Sequence, residues 1–131
     1  KNYAIEFDIN ITIDKQIVIF HDDDLNRLCN KKEKIEEVTY DFLKDLKLYE
    51  SDEKIPLLKE LLVEISGKIL LVIEIKKHKN IGILENKLVD LLENYKGKYL
   101  ICSFEKNILF WFKKNKGNYF SASTYSKRSL G

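Results

Sequence analysis

Apolar residues recur along the chain in two periods, and the alternation between those periods predicts the architecture. The segments Tyr3–Ile11, Ile17–Phe20, Ile69–Ile75 and Tyr99–Ser103 are rich in Ile, Val and Tyr, contain no interior Gly or Pro, and read as strands. Side chains alternate faces along a strand. In the first, Ile5, Phe7 and Ile9 therefore share one face while Ala4, Glu6 and Asp8 share the other. In the third, Ile73 and Ile75 oppose Glu74 and Lys76. The run Ile69-Leu70-Leu71-Val72-Ile73 is apolar on both faces, as strands are inside a parallel sheet covered by helices.

Helical spacing fills the intervals. Pro56 is expected to open a helix carrying Leu57, Leu58, Leu61, Leu62 and Ile65, with Gly67 ending the segment. Ile81–Asn94 repeats the pattern through Ile83, Leu84, Leu88, Leu91 and Leu92. Thr39 is a candidate cap for a short helix Tyr40–Leu48, whose Phe42, Leu43 and Leu46 should dock on the body of the protein. Glu105–Lys116 is a further helix, apolar around more than half its circumference. Core packing is the first expectation for its Trp111, and a peripheral lipid contact flanked by Lys113 and Lys114 is the alternative. Strand and helix in alternation predict an α/β fold with a parallel sheet.

Charge enters where strands end. Glu6, Asp8, His21 and Glu74 all stand at the carboxyl ends of predicted strands, and buried carboxylates that cluster need a partner. Three carboxylates and one histidine can converge on a divalent cation, and oxygen ligands favour Mg2+, Ca2+ or Mn2+ over zinc. The plainer reading makes each acidic set a solvated strand end or an ion pair. His21 with Asp22, Asp23 and Asp24 then simply begins a polar loop.

The order of these motifs adds a second line of argument. Ile5-Glu6-Phe7-Asp8-Ile9 followed by Val18-Ile19-Phe20-His21-Asp22 resembles the glycerophosphodiester phosphodiesterase family. Leu25-Asn26-Arg27 resembles its leucine-x-arginine, and Ile55-Pro56-Leu57-Leu58-Lys59-Glu60 its Ile-Pro-Thr-Leu-x-Glu helix entry, with Leu57 in place of Thr. Ile73-Glu74-Ile75-Lys76 and Ser103-Phe104 continue the series, so the resemblance covers about residues 1–115. It implies a TIM (β/α)8 barrel of the phospholipase-C-like phosphodiesterase type, with its site at the carboxyl ends of the strands. It also implies metal-dependent hydrolysis of glycerophosphodiesters to glycerol 3-phosphate and an alcohol. Glu6, Asp8 and Glu74 would bind a divalent cation (Ca2+ or Mg2+), His21 would be the acid/base, and Lys76 would neutralise the phosphate. Phe104, after a strand end, is a candidate pocket residue.

Two departures qualify the resemblance. The family opens with a strand ending in His-Arg, and no such motif precedes Lys1; His78, after Lys76-Lys77, is expected to face solvent. A (β/α)8 barrel needs about 250 residues, so 131 residues hold about strands two to five. The absence of Met suits an internal segment, with residues 1–117 a partial phosphodiesterase domain and 118–131 a Ser- and Tyr-rich tail without an assigned role. Two other readings stay open: a phospholipase-C-like enzyme acting on another phospholipid, and a non-catalytic remnant that binds a cation or a partner through exposed strand edges.

Composition sets bounds only. Lys and Arg number 23 against 21 Asp and Glu, a net charge of +2 without a basic stripe, which argues against nucleic acid as a partner. No apolar run approaches the roughly 18 residues of a membrane span. Cys29 falls in a polar loop and Cys102 in a buried strand, so no disulfide is expected and a reduced, cytoplasmic compartment is favoured.

Overall fold

The computed structural model of the chain describes residues 4–20, 33–46, 54–117 and 124–126, the last as backbone. Its centre is a five-stranded sheet in the order β2-β1-β3-β4-β5, built from β1 (Ala4–Ile11), β2 (Ile17–Ile19), β3 (Leu70–Ile75), β4 (Tyr99–Ser103) and β5 (Thr124–Ser126). Strands β1, β3, β4 and β5 run parallel in that order. Strand β2 departs from the parallel expectation: it folds back antiparallel on β1, pairing Ile9 with Ile19 and Ile11 with Ile17. The tight link explains why. Thr12 and Gln16 close the hairpin through Thr12 N–H to the Gln16 carbonyl (2.9 Å), with Lys15 in the left-handed region at φ 64°. A connection this short permits only an antiparallel return.

Helices α1 (Tyr40–Lys44), α2 (Leu58–Ile65), α3 (Ile83–Glu93) and α4 (Lys106–Asn115) supply the connections, with a 3-10 turn at Ile35–Glu37. As expected, Thr39 caps α1, its hydroxyl accepting the Phe42 N–H at 3.2 Å. Helix α1 ends at Lys44 instead of Leu48. Pro56 does not open α2. It sits in an extended stretch whose carbonyl accepts the Ile19 N–H (3.0 Å), and the helix begins two residues later, where the Glu60 carboxylate reaches back to the Leu57 N–H (3.2 Å). Segment 118–131, left without a role by the sequence, contributes β5.

The parallel register decides which side chains share a side. Phe7, Ile73 and Ile101 are in line, as are Ile5 with Leu71 and Ile9 with Ile75. These meet Leu58 and Leu62 of α2, Leu84, Leu88 and Leu92 of α3, and Ile108 and Phe112 of α4 in the main core. A side chain of this size buried from water contributes about 1.5–3 kcal/mol. A second cluster, Val18, Phe20, Ile35, Leu43, Ile55 and Leu57, joins β2 to α1 and the start of α2. Phe42, expected to dock, lies on the outer side of α1 and is 39% exposed. Trp111 packs against the main core, edge-on to Phe112 with ring centroids 5.2 Å apart, while Phe110 projects outward.

Candidate active site

On the face opposite the main core the same register stacks a different set of residues. Glu6 is level with Val72, and Val72 with Leu100; one layer higher, Asp8 is level with Glu74, and Glu74 with Cys102. The alternation that aimed Glu6 and Asp8 to one side thus brings Asp8 directly beside Glu74. Adjacent strands lie about 4.8 Å apart, and residues two apart on a strand about 6.7 Å. Three carboxylates from two strands therefore occupy one small patch. Above them, just past the end of β3, the Lys76 ammonium stands 3.5 Å from Asp8 Oδ2.

These residues open into a cleft of about 820 Å3 lined by Glu6, Phe7, Asp8, Ile19, Glu74, Lys76, Lys77, Phe104 and Glu105. Every site residue singled out from sequence within the described regions lines it: Glu6, Asp8, Glu74, Lys76 and Phe104. Glu74 is buried and the Asp8 side chain nearly so, whereas Glu6 is exposed and Lys76 keeps part of its length in water. Phe104 is 48% exposed, an aromatic face at the cleft wall. His21 lies outside the described residues, as does Cys29. The residue before His21 is anchored at the site: the Phe20 N–H donates to the Asp8 carbonyl at 3.2 Å.

Among the described residues no group of three or more His, Cys, Asp and Glu side chains is arranged to hold a metal ion. Glu6, Asp8 and Glu74 share a patch, with Lys76 at Asp8. Their all-oxygen chemistry is of the kind that suits a hard divalent cation.

The expectation for His78 is overturned. Its ring is buried, with Nε2 2.7 Å from Glu85 Oε2 and Nδ1 accepting the Asn80 N–H at 3.1 Å. Sequence reading missed it because Lys76-Lys77-His78-Lys79 looks uniformly polar, while its partner Glu85 stands seven residues on in the first turn of α3. Asn10 was also missed. It continues the Glu6, Asp8 face and, with Asp8, Lys76 and His78, walls a small void beside the cleft. The same period-2 count would have found it.

Four parallel strands, β1, β3, β4 and β5, joined through helices and with a polar cleft where the β1–β3 pairing ends, define a segment of a TIM-type barrel. A family model described as the glycerophosphoryl diester phosphodiesterase family matches residues 3–128, and the chain belongs to that family. A glycerophosphodiester phosphodiesterase from Bacillus altitudinis is 31% identical over 123 residues, covering 85% of this chain and 50% of the relative. Among solved structures, a phosphodiesterase from Oleispira antarctica in complex with the product sn-glycerol-3-phosphate superposes with a TM-score of 0.79 at 24% identity. It covers 95% of this chain and 53% of its own. A glycerophosphodiester phosphodiesterase from Thermotoga maritima gives a TM-score of 0.66 at 30% identity, over 79% of this chain and 42% of its own. The chain spans about half the length of the relatives it matches. The fold is a partial barrel. No described helix is long and apolar enough to cross a membrane.

Proposed function

We propose that the cleft binds a glycerophosphodiester, and that the protein carrying this chain hydrolyses it to glycerol 3-phosphate and an alcohol. The observation that supports this best is the register Asp8 beside Glu74 with Lys76 immediately above, placed where the parallel pairing of β1 with β3 ends, in a member of this family. The Oleispira antarctica relative, similar in fold, holds sn-glycerol 3-phosphate. A phosphodiester carries a negative charge that grows on its peripheral oxygens as the ester bond breaks. The Lys76 ammonium, steered by Asp8, is the described side chain suited to meet it. Lys77 adds a second positive charge at the rim. Phe104 offers an apolar wall to the glycerol carbons or the alcohol.

Glu6, Asp8 and Glu74 are proposed to hold a divalent cation, Ca2+ or Mg2+, which when bound neutralises phosphate charge as a Lewis acid. His21 is proposed as the acid/base. It directly follows Phe20, whose backbone is tied to Asp8, and an imidazole titrating near neutrality suits proton delivery to a departing alkoxide.

The test is release of glycerol 3-phosphate from glycerophosphocholine and glycerophosphoethanolamine, with added Ca2+ or Mg2+ and again with EDTA. Metal-dependent release that fails in Glu6→Gln and Glu74→Gln is the expected result. A phosphorylated headgroup as product would transfer the site to the phospholipase-C type of cleavage. Cation binding without turnover would favour a binding module.

A further inference from the structure

The buried group that the proposed chemistry leaves unused is His78, and its surroundings form a clasp. The ring is 3% exposed at its side chain and Glu85, its partner, 0%. A backbone N–H can only donate, so the Asn80 N–H at 3.1 Å makes Nδ1 an acceptor and puts the ring proton on Nε2, aimed at Glu85 Oε2. That assignment also settles the nearby Glu36 Oε1, 3.7 Å from Nδ1: it is a close approach and not an ion pair. Glu36 instead accepts the Lys79 N–H and the Asn80 side-chain amide, both at 3.0 Å. Glu85 spends its other oxygen on the Gly82 N–H at 2.7 Å. The loop from His78 to Gly82 is thus gripped from one side by the 3-10 turn and from the other by α3.

The clasp stands next to the cleft. Strand pairing of β3 with β1 ends at Ile75, and the clasp begins at His78, so Lys76 and Lys77 are the two residues strung between these anchors. The imidazole is also one wall of a void of about 10 Å3 whose other walls include Asp8, Asn10, Lys76 and Lys77. Displacement of the ring would therefore be felt by Asp8 and Lys76 together.

We propose that His78 is a positioning residue: with Glu85 and Glu36 it fixes the backbone that presents Lys76 and Lys77 to a phosphate in the cleft. The inference rests on the proposed phosphodiester site for its functional half and on the hydrogen-bond geometry for its structural half. Histidine suits the task because its two ring nitrogens lie on different edges, one accepting from the loop while the other donates to a buried carboxylate. Glutamine also accepts and donates, but both groups sit on one terminal carbon and do not span partners set on two edges of a ring.

Two readouts on His78→Gln, with Glu36→Ala as a second variant that touches only the outer half of the clasp, test the proposal. Amide hydrogen exchange is expected to accelerate at Lys77–Asn80 while β3 and β4 stay protected. Affinity for sn-glycerol 3-phosphate, titrated by NMR, should fall about tenfold, the scale of one lost buried hydrogen bond. In a Lys76→Gln background the same His78 substitution should cost clearly less than about tenfold, because one of the two lysines it positions is gone. Unchanged affinity, or an equal loss in both backgrounds, would overturn the positioning role. If the unsubstituted chain has no affinity for sn-glycerol 3-phosphate, the proposed phosphodiester site fails on its own. Exchange then decides the clasp: acceleration confined to Lys77–Asn80 upholds it, and unchanged exchange overturns it.

Discussion

Replacing Glu85 by Ala removes two hydrogen bonds at once from a place that water does not reach. The carboxylate is fully buried and accepts from His78 Nε2 and from the Gly82 N–H, each at 2.7 Å. A buried donor left without an acceptor costs about 1–3 kcal/mol. The Gly82 N–H stands at the start of α3, where loss of a capping partner costs about 0.5–2 kcal/mol. Together these give a destabilisation of about 1.5–5 kcal/mol, a large share of the roughly 5–15 kcal/mol of a typical domain. With a urea slope of about 2 kcal/mol per molar, the unfolding midpoint should fall by about 0.75–2.5 M. Glu85→Gln keeps one acceptor oxygen and should lose about half as much. Glu93→Ala, an exposed site on the same helix, should change stability by no more than about 0.5 kcal/mol. Equilibrium urea unfolding followed by circular dichroism measures all three. A Glu85→Ala midpoint indistinguishable from that of Glu93→Ala would refute the buried clasp.

Other expectations follow from separate features. A methyl group at Gly97 would stand 2.6 Å from both the Gly67 Cα and the Tyr95 ring, so Gly97→Ala should destabilise by about 1–3 kcal/mol, readable as a drop in melting temperature. Ser66 ends α2 at φ 50°, a left-handed conformation costing about 1–2 kcal/mol for a residue with a Cβ; Ser66→Gly should recover about 0.5–1 kcal/mol in urea unfolding. Burial pushes the Asp14 carboxyl up, but hydrogen bonds from the Thr12 hydroxyl and the Tyr40 N–H, with its own backbone, outweigh this and hold it below the ordinary 3.8. The folded protein then releases that proton more readily than the unfolded chain, so the contribution is complete above the unfolded value and is lost as pH falls through the lower folded one. Urea midpoints between pH 5 and 2 should show the gap between the parent and Asp14→Asn narrowing below 3.8; a constant gap would exclude this linkage.

Much of this arrangement was legible in the residues because strands are periodic. A count of two along β1 placed Glu6 and Asp8 on one face, and apolarity on both faces of β3 announced a parallel interior strand. Register was not legible. That Asp8 lies beside Glu74, and not one layer away, depends on how β1 slides along β3, which no local pattern encodes. The antiparallel turn of β2 followed from a five-residue link whose length was visible but was not weighed against direction. His78 was misplaced for a different reason. Charged residues next to one another in sequence look solvated, and only tertiary proximity shows that the imidazole meets Glu85 of a helix while Glu36 of a 3-10 turn holds the loop that follows it. Pro56 misled by its usual habit of opening helices, because its carbonyl is committed to Ile19 in an extended stretch.

The most direct test of the central account is a titration of this chain with sn-glycerol 3-phosphate, followed residue by residue through its backbone amide signals. Saturable shifts concentrated at Asp8, Glu74, Lys76, Lys77 and Phe104, needing at least about tenfold more ligand to saturate in Lys76→Gln, are the predicted result. Shifts that cluster away from the end of the parallel β1–β3 pairing, or that survive loss of the lysine undiminished, would contradict it.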